Sequence, residues 1–251
     1  GRLVLRDTSS CYLAIVMLSP RVLLLAAVIP ALLAWEGAAW AHDLWVEREG
    51  GAFVLRYGHR GGEALSLPDA KVRTFVCRPG KGATRDLATS AKREPKRMSI
   101  AGSCAVVSAF LDGGFWSLTP DGEKNLPRNQ VPDAVKAWRS RQFAKWIDVR
   151  SPLAGQPLGD EFEIVPVGDF AKVKTGDKAS FRVLLAGKPL SGAILAINHK
   201  PLGETDDRGE VRVKIRAPEV ESVSASFRRP VTSPEADSEV YEASMTFEVA
   251  R

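Results

Sequence analysis

Histidine, cysteine, methionine and tyrosine are scarce in this sequence, with three of each in 251 residues. Three widely separated histidines leave no readable Ser-His-Asp arrangement, and no nucleotide-binding motif appears. No two cysteines stand at C-x-x-C spacing, which argues against a thiolate metal centre. The formal net charge of +5 is modest and spread out, so the chain has no basic stripe for nucleic acid. A basic stretch over 80–98 (Lys81, Arg85, Lys92, Arg93, Lys96 and Arg97) reads as a solvated hairpin tip. The apolar run over 22–35 contains Pro30 and is short of the about 20 residues a membrane helix needs. Internal repeats and low-complexity tracts are absent.

That apolar run fits an export leader instead. Arg21 supplies the leading charge and Ala39-Trp40-Ala41 the small-x-small site that signal peptidase accepts. The sequence opens with Gly1, and Met17 is the better start, so residues 1–41 read as an upstream extension plus a cleaved signal peptide. An uncleaved anchor is the alternative. The residue directly after the cut is not a cysteine, so no lipoprotein anchor is expected, and Cys11 falls in the leader. Cleavage after Ala41 makes His42 the first residue. A terminal histidine offers its α-amine and a ring nitrogen to one metal ion, and an α-amine with a pKa near ~8 gives up its proton to a metal at neutral pH. Cleavage after Ala39 puts His42 third, a square-planar motif for copper or nickel that has no need of His59.

Beyond residue 41 the texture is β. Gly and Pro punctuate short runs rich in Val, Ile, Phe and Thr. The expected architecture is mainly β: two immunoglobulin-like β-sandwich domains, 42–150 and 151–251, with one helix near 132–147 between them. The helix rests on the spacing of Val135, Trp138, Gln142 and Trp146. Residues 148–160, rich in Pro and Gly, form the expected boundary. Short strands at about 8–12-residue spacing then suggest the second sandwich. Cys77 and Cys104 are expected to form a disulfide, as an even pair in an exported chain; two buried free thiols are the alternative.

Two histidines are the candidate metal ligands. Gly50-Gly51 is a turn between a strand from His42 and a strand running to His59. Alternation puts Phe53, Leu55, Tyr57 and His59 on one face, and an antiparallel hairpin brings His59 back beside His42. Amine and imidazole nitrogens suit nickel, cobalt and copper. Asp43 and Glu47 alternate away from that face and read as surface charge. His199 sits in a turn before Lys200-Pro201, and joins the site only if an interface brings it in.

His42-Asp43-Leu44-Trp45, Tyr57-Gly58-His59, the run from Phe115-Trp116-Ser117 to Pro120-Asp121-Gly122, Ser140-Arg141-Gln142-Phe143 and Gly187-Lys188-Pro189-Leu190 follow one another in order. In this the chain resembles a family of bacterial periplasmic proteins catalogued as a domain of unknown function. Some of its members accompany nickel or cobalt uptake transporters of the energy-coupling-factor type. The resemblance covers nearly all of 42–251. It implies a periplasmic binding protein, not an enzyme, that takes nickel or cobalt (copper as the alternative) at His42 and His59. The implied partner is a membrane metal-uptake transporter. Two other classes stay open: a histidine-brace copper protein, either carrier or polysaccharide oxygenase, and a metal-free structural or adhesive sandwich.

Overall fold

The computed structural model describes residues 42–250. The expected leader, its cleavage site, Cys11 and the start at Met17 lie outside the described residues. Strand β1 (Asp43–Glu49) and strand β2 (Ala52–Gly58) form the expected antiparallel hairpin. Gly50 and Gly51 both take positive φ, as a two-residue turn with the right twist requires. The inner face buries Leu44, Val46, Phe53 and Leu55.

Strands β3 (Val72–Arg78), β4 (Arg85–Asp86), β5 (Lys92–Glu94) and β6 (Arg97–Ala101) follow. The long β7 (Val106–Thr119), the short β8 (Gly122–Lys124) and β9 (Lys136–Ile147) come next. The second half supplies β10 (Phe162–Val167), β11 (Lys178–Leu185), β12 (Lys188–Pro189), β13 (Ile194–Ile197) and β14 (Lys200–Glu204). It ends with β15 (Glu210–Lys214), β16 (Val220–Pro230) and β17 (Ser238–Glu248). A nine-stranded sheet runs β14-β13-β16-β17-β9-β7-β3-β4, with β8 on β7. Smaller sheets, β1-β2-β6-β5 and β10-β11-β12 with β15, complete a mainly β, sandwich-like fold. No helix among the described residues is long and apolar enough to cross a membrane.

The expected helix over 132–147 is instead strand β9, antiparallel to β7 and parallel to β17. The cause is burial on both faces. Phe143 and Ile147 enter one core, while Ala144 and Trp146 enter the other. A strand covered on both sides loses its polar alternation, and the remaining spacing imitates a helix. Aromatic and β-branched side chains on that stretch favour a strand.

The boundary at 148–160 does not divide the fold either. It is a loop from β9 to β10, and β9 and β17, from the two expected domains, pair over ten residues. The described residues, 42–250, belong to one compact unit. Each core lies on its own face of the central sheet, one closed by the β1 sheet and the other by the β10 sheet. A buried ion pair, Lys145 to Glu163 at 2.6 Å, ties β9 to β10. The Cys77–Cys104 disulfide is formed, tying β3 to the segment leading into β7.

β1 is an edge strand, and its open edge abuts the central sheet. The carbonyl of His42 accepts from Gln142 Nε2 at 2.8 Å, and that of Leu44 accepts from Ser244 Oγ at 2.6 Å. Polar side chains buried on β9 and β17 therefore serve the backbone of β1. An edge satisfied in this way is closed to further strand pairing. It also fixes His42 against the sheet.

Candidate metal site

The hairpin register pairs Asp43 with Gly58, so His42 and His59 continue it by one step. Their ring centres stand 5.1 Å apart. After β2 the chain folds back at once: Gly62 N–H donates to the His59 carbonyl at 2.9 Å, and Leu65 N–H to the Tyr57 carbonyl at 2.9 Å. Gly58 makes this fold-back feasible. It sits at φ +127°, and a Cβ there would stand 2.8 Å from the Glu63 carbonyl oxygen and from the Leu65 nitrogen.

Tyr57 Oη lies 3.3 Å from His42 Nδ1. Burial first, then the charges of Glu242 and Glu123, push the Tyr57 hydroxyl up to about 12. It therefore keeps its proton and acts as a phenol, not a phenolate. Burial, then the neighbouring His59, lower the pKa of His42, with Glu123 and Asp43 opposing. A lowered pKa shifts His42 toward its neutral form, the form that binds metals.

His199 joins this group from the far half of the chain. Its ring centre is 6.2 Å from that of His59, and its Nε2 is 3.1 Å from Asp43 Oδ2. Asp43 is thus not a free surface charge, as alternation suggests. Trp45, on the same face of β1 as Asp43, is buried too, so that face is not open to solvent along its whole length. Burial raises the Asp43 pKa, while His199 and the Arg60 backbone N–H pull it down. Glu47 does carry a surface ion pair, with Arg56.

Asn198 and His199, at φ +49° and +60°, form the two-residue turn from β13 to β14, with Ile197 paired to Lys200. Such turns favour Asn-Gly. The sequence signal was present as Asn-His between an apolar run and Lys-Pro, but nothing in it said that this turn lies over β1. A second feature escaped sequence reasoning altogether. Gln142 Nε2 also donates to Glu242 Oε2 at 2.9 Å, and burial pushes that half-buried carboxyl up to about 7, with Asp43 adding to the rise.

Ring spacing tests the fit to a metal. An imidazole nitrogen binds a first-row metal at about 2.0–2.1 Å, and its ring centre lies about 1.1 Å further back. Two rings on one ion therefore stand about 4.5 Å apart at a right angle and about 6.4 Å apart in line. The spacings of 5.1 and 6.2 Å both fall in this window. Among the described residues, no three His, Cys, Asp or Glu side chains are already set to hold an ion.

One protein family, described as a domain of unknown function (DUF4198), matches residues 39–226. The matched span includes all three histidines. No curated protein and no solved structure matches the chain. With most of its length matched, the chain belongs to the family of the domain of unknown function DUF4198.

Proposed function

We propose that this protein is an exported, periplasmic binding protein for nickel or cobalt, held at His42 and His59, which hands the ion to a membrane uptake transporter. The observation that carries this is the 5.1 Å spacing of two imidazoles at the paired end of one hairpin. Removal of residues 1–41 exposes the His42 α-amine, and the amine with Nδ1 closes a chelate on one residue. The backbone of that residue is already anchored by Gln142. His59 then supplies a second imidazole. Nitrogen ligands of this kind suit nickel, cobalt and copper. The ion is cargo, and the chain performs no chemistry on it.

Nickel accumulation by cells tests the assignment. Cells relying on this protein take up nickel at low external concentration, and His42→Ala or His59→Ala abolishes the uptake. Uptake unchanged by both variants contradicts the assignment.

One observation favours a second reading, a histidine-brace copper protein. The Tyr57 hydroxyl stands 3.3 Å from His42 Nδ1, beside the place a copper ion would take. Oxygen- and reductant-dependent oxidation of chitin or cellulose by the copper-loaded protein would establish an oxygenase in place of a carrier.

A further inference from the structure

We infer that His199 is the third imidazole of the site, with Asp43 holding its Nε2–H so that Nδ1 faces the ion shared by His42 and His59. This rests on the metal-binding assignment above and extends it to a residue more than a hundred positions away.

Three observations carry it. The first is distance: the His199 ring centre is 6.2 Å from that of His59, inside the window for two rings on one ion. The second is the carboxylate. A ligating histidine characteristically gives its other ring N–H to a carboxylate, which fixes the tautomer and strengthens the ligand. Asp43 Oδ2 stands 3.1 Å from His199 Nε2, and with the proton on Nε2 the lone pair falls to Nδ1. Asp43 is also next to His42 in the chain, so one carboxylate orients the distant histidine toward the near one.

The third is the backbone. His199 holds φ +60° in a two-residue turn where glycine is the unstrained choice. A left-handed L-residue is disfavoured, and such strain collects where a side chain is needed in one place. The turn carries the imidazole out from the β13–β14 edge onto β1, beside a small cleft bordered by Asp43, Trp45, Arg60 and Asn198. A three-imidazole set differs from a two-histidine brace in what it holds. It gives the ion a third strong nitrogen donor from a different sheet, so binding ties the β1 hairpin to the β13–β14 hairpin.

The test uses the full chain expressed with its leader, purified and loaded with copper(II) as a spectroscopic probe and with nickel(II) for affinity. Pulsed EPR counts the coordinated imidazoles. The expected count is three in the unaltered protein and two in His199→Asn. Asparagine tolerates the left-handed turn, so the fold is kept, and a thermal melt verifies this. Asp43→Asn is expected to weaken nickel binding about 10- to 100-fold while the protein stays folded. A count of two that His199→Asn leaves unchanged, with nickel affinity unaltered, overturns the inference and leaves the His42–His59 site standing. Failure of the unaltered protein to bind either ion overturns both.

Discussion

Glu242→Gln is expected to stabilise the protein at pH 8 and to leave it unchanged at pH 4. The Glu242 carboxyl, ordinarily near 4.5, is pushed up to about 7 by burial beneath the hairpin. A carboxyl with a raised folded-state pKa favours the folded state while protonated. That stability is present below the unfolded value and is lost as pH rises through the folded one. Moving from 4.5 to about 7 at about 1.4 kcal/mol per pH unit costs about 3 kcal/mol above pH 7. Glutamine cannot ionise, and its side-chain oxygen still accepts from Gln142 Nε2. For a unit of this size, about 3 kcal/mol corresponds to a rise of about 6–12 °C in Tm. Thermal melts of both proteins from pH 4 to pH 8 measure it. Parallel Tm curves across that range would refute a raised pKa at Glu242.

Three further outcomes follow from the packing. Lys145→Met leaves Glu163 buried with only the backbone N–H groups of Leu158 and Gly159, and should cost about 3–5 kcal/mol in urea unfolding; a loss under about 1 kcal/mol would contradict the buried pair. Gly58→Ala puts a methyl against the Glu63 and Leu65 backbone at positive φ, so a loss of about 1–3 kcal/mol and weaker metal binding are expected together. Replacing Cys77 and Cys104 together by alanine opens a loop of 27 residues and should lower stability by about 3 kcal/mol, read from denaturant midpoints.

The hairpin was legible because its logic is local. A Gly-Gly turn, a period of two and a fixed register carry His59 back to His42 whatever else the chain does. The disulfide was legible from an even pair of cysteines beside strand-like runs. β9 was not, because a strand buried on both faces by two cores loses the polar alternation that marks a strand. The single unit was hidden for a different reason. The parallel pairing of β9 with β17 joins residues about a hundred positions apart, and no local pattern encodes it. That non-local pairing sets Gln142 beside Glu242, and His199 is carried in on strands hydrogen-bonded beyond β17. Asp43 alternates away from His42 as expected, yet its far side meets the β13–β14 turn instead of solvent.

The most direct measurement is the intact native mass of the protein, expressed from Met17 with export and mixed with nickel(II). A mass that begins at His42 and gains one nickel ion, lost in His42→Ala and in His59→Ala, is the predicted result. A chain beginning at Trp40 that takes nickel regardless of His59 would move the ligands to the third-position motif. A cleaved chain that takes up no nickel, cobalt or copper would contradict the metal site and leave a sandwich protein with another purpose.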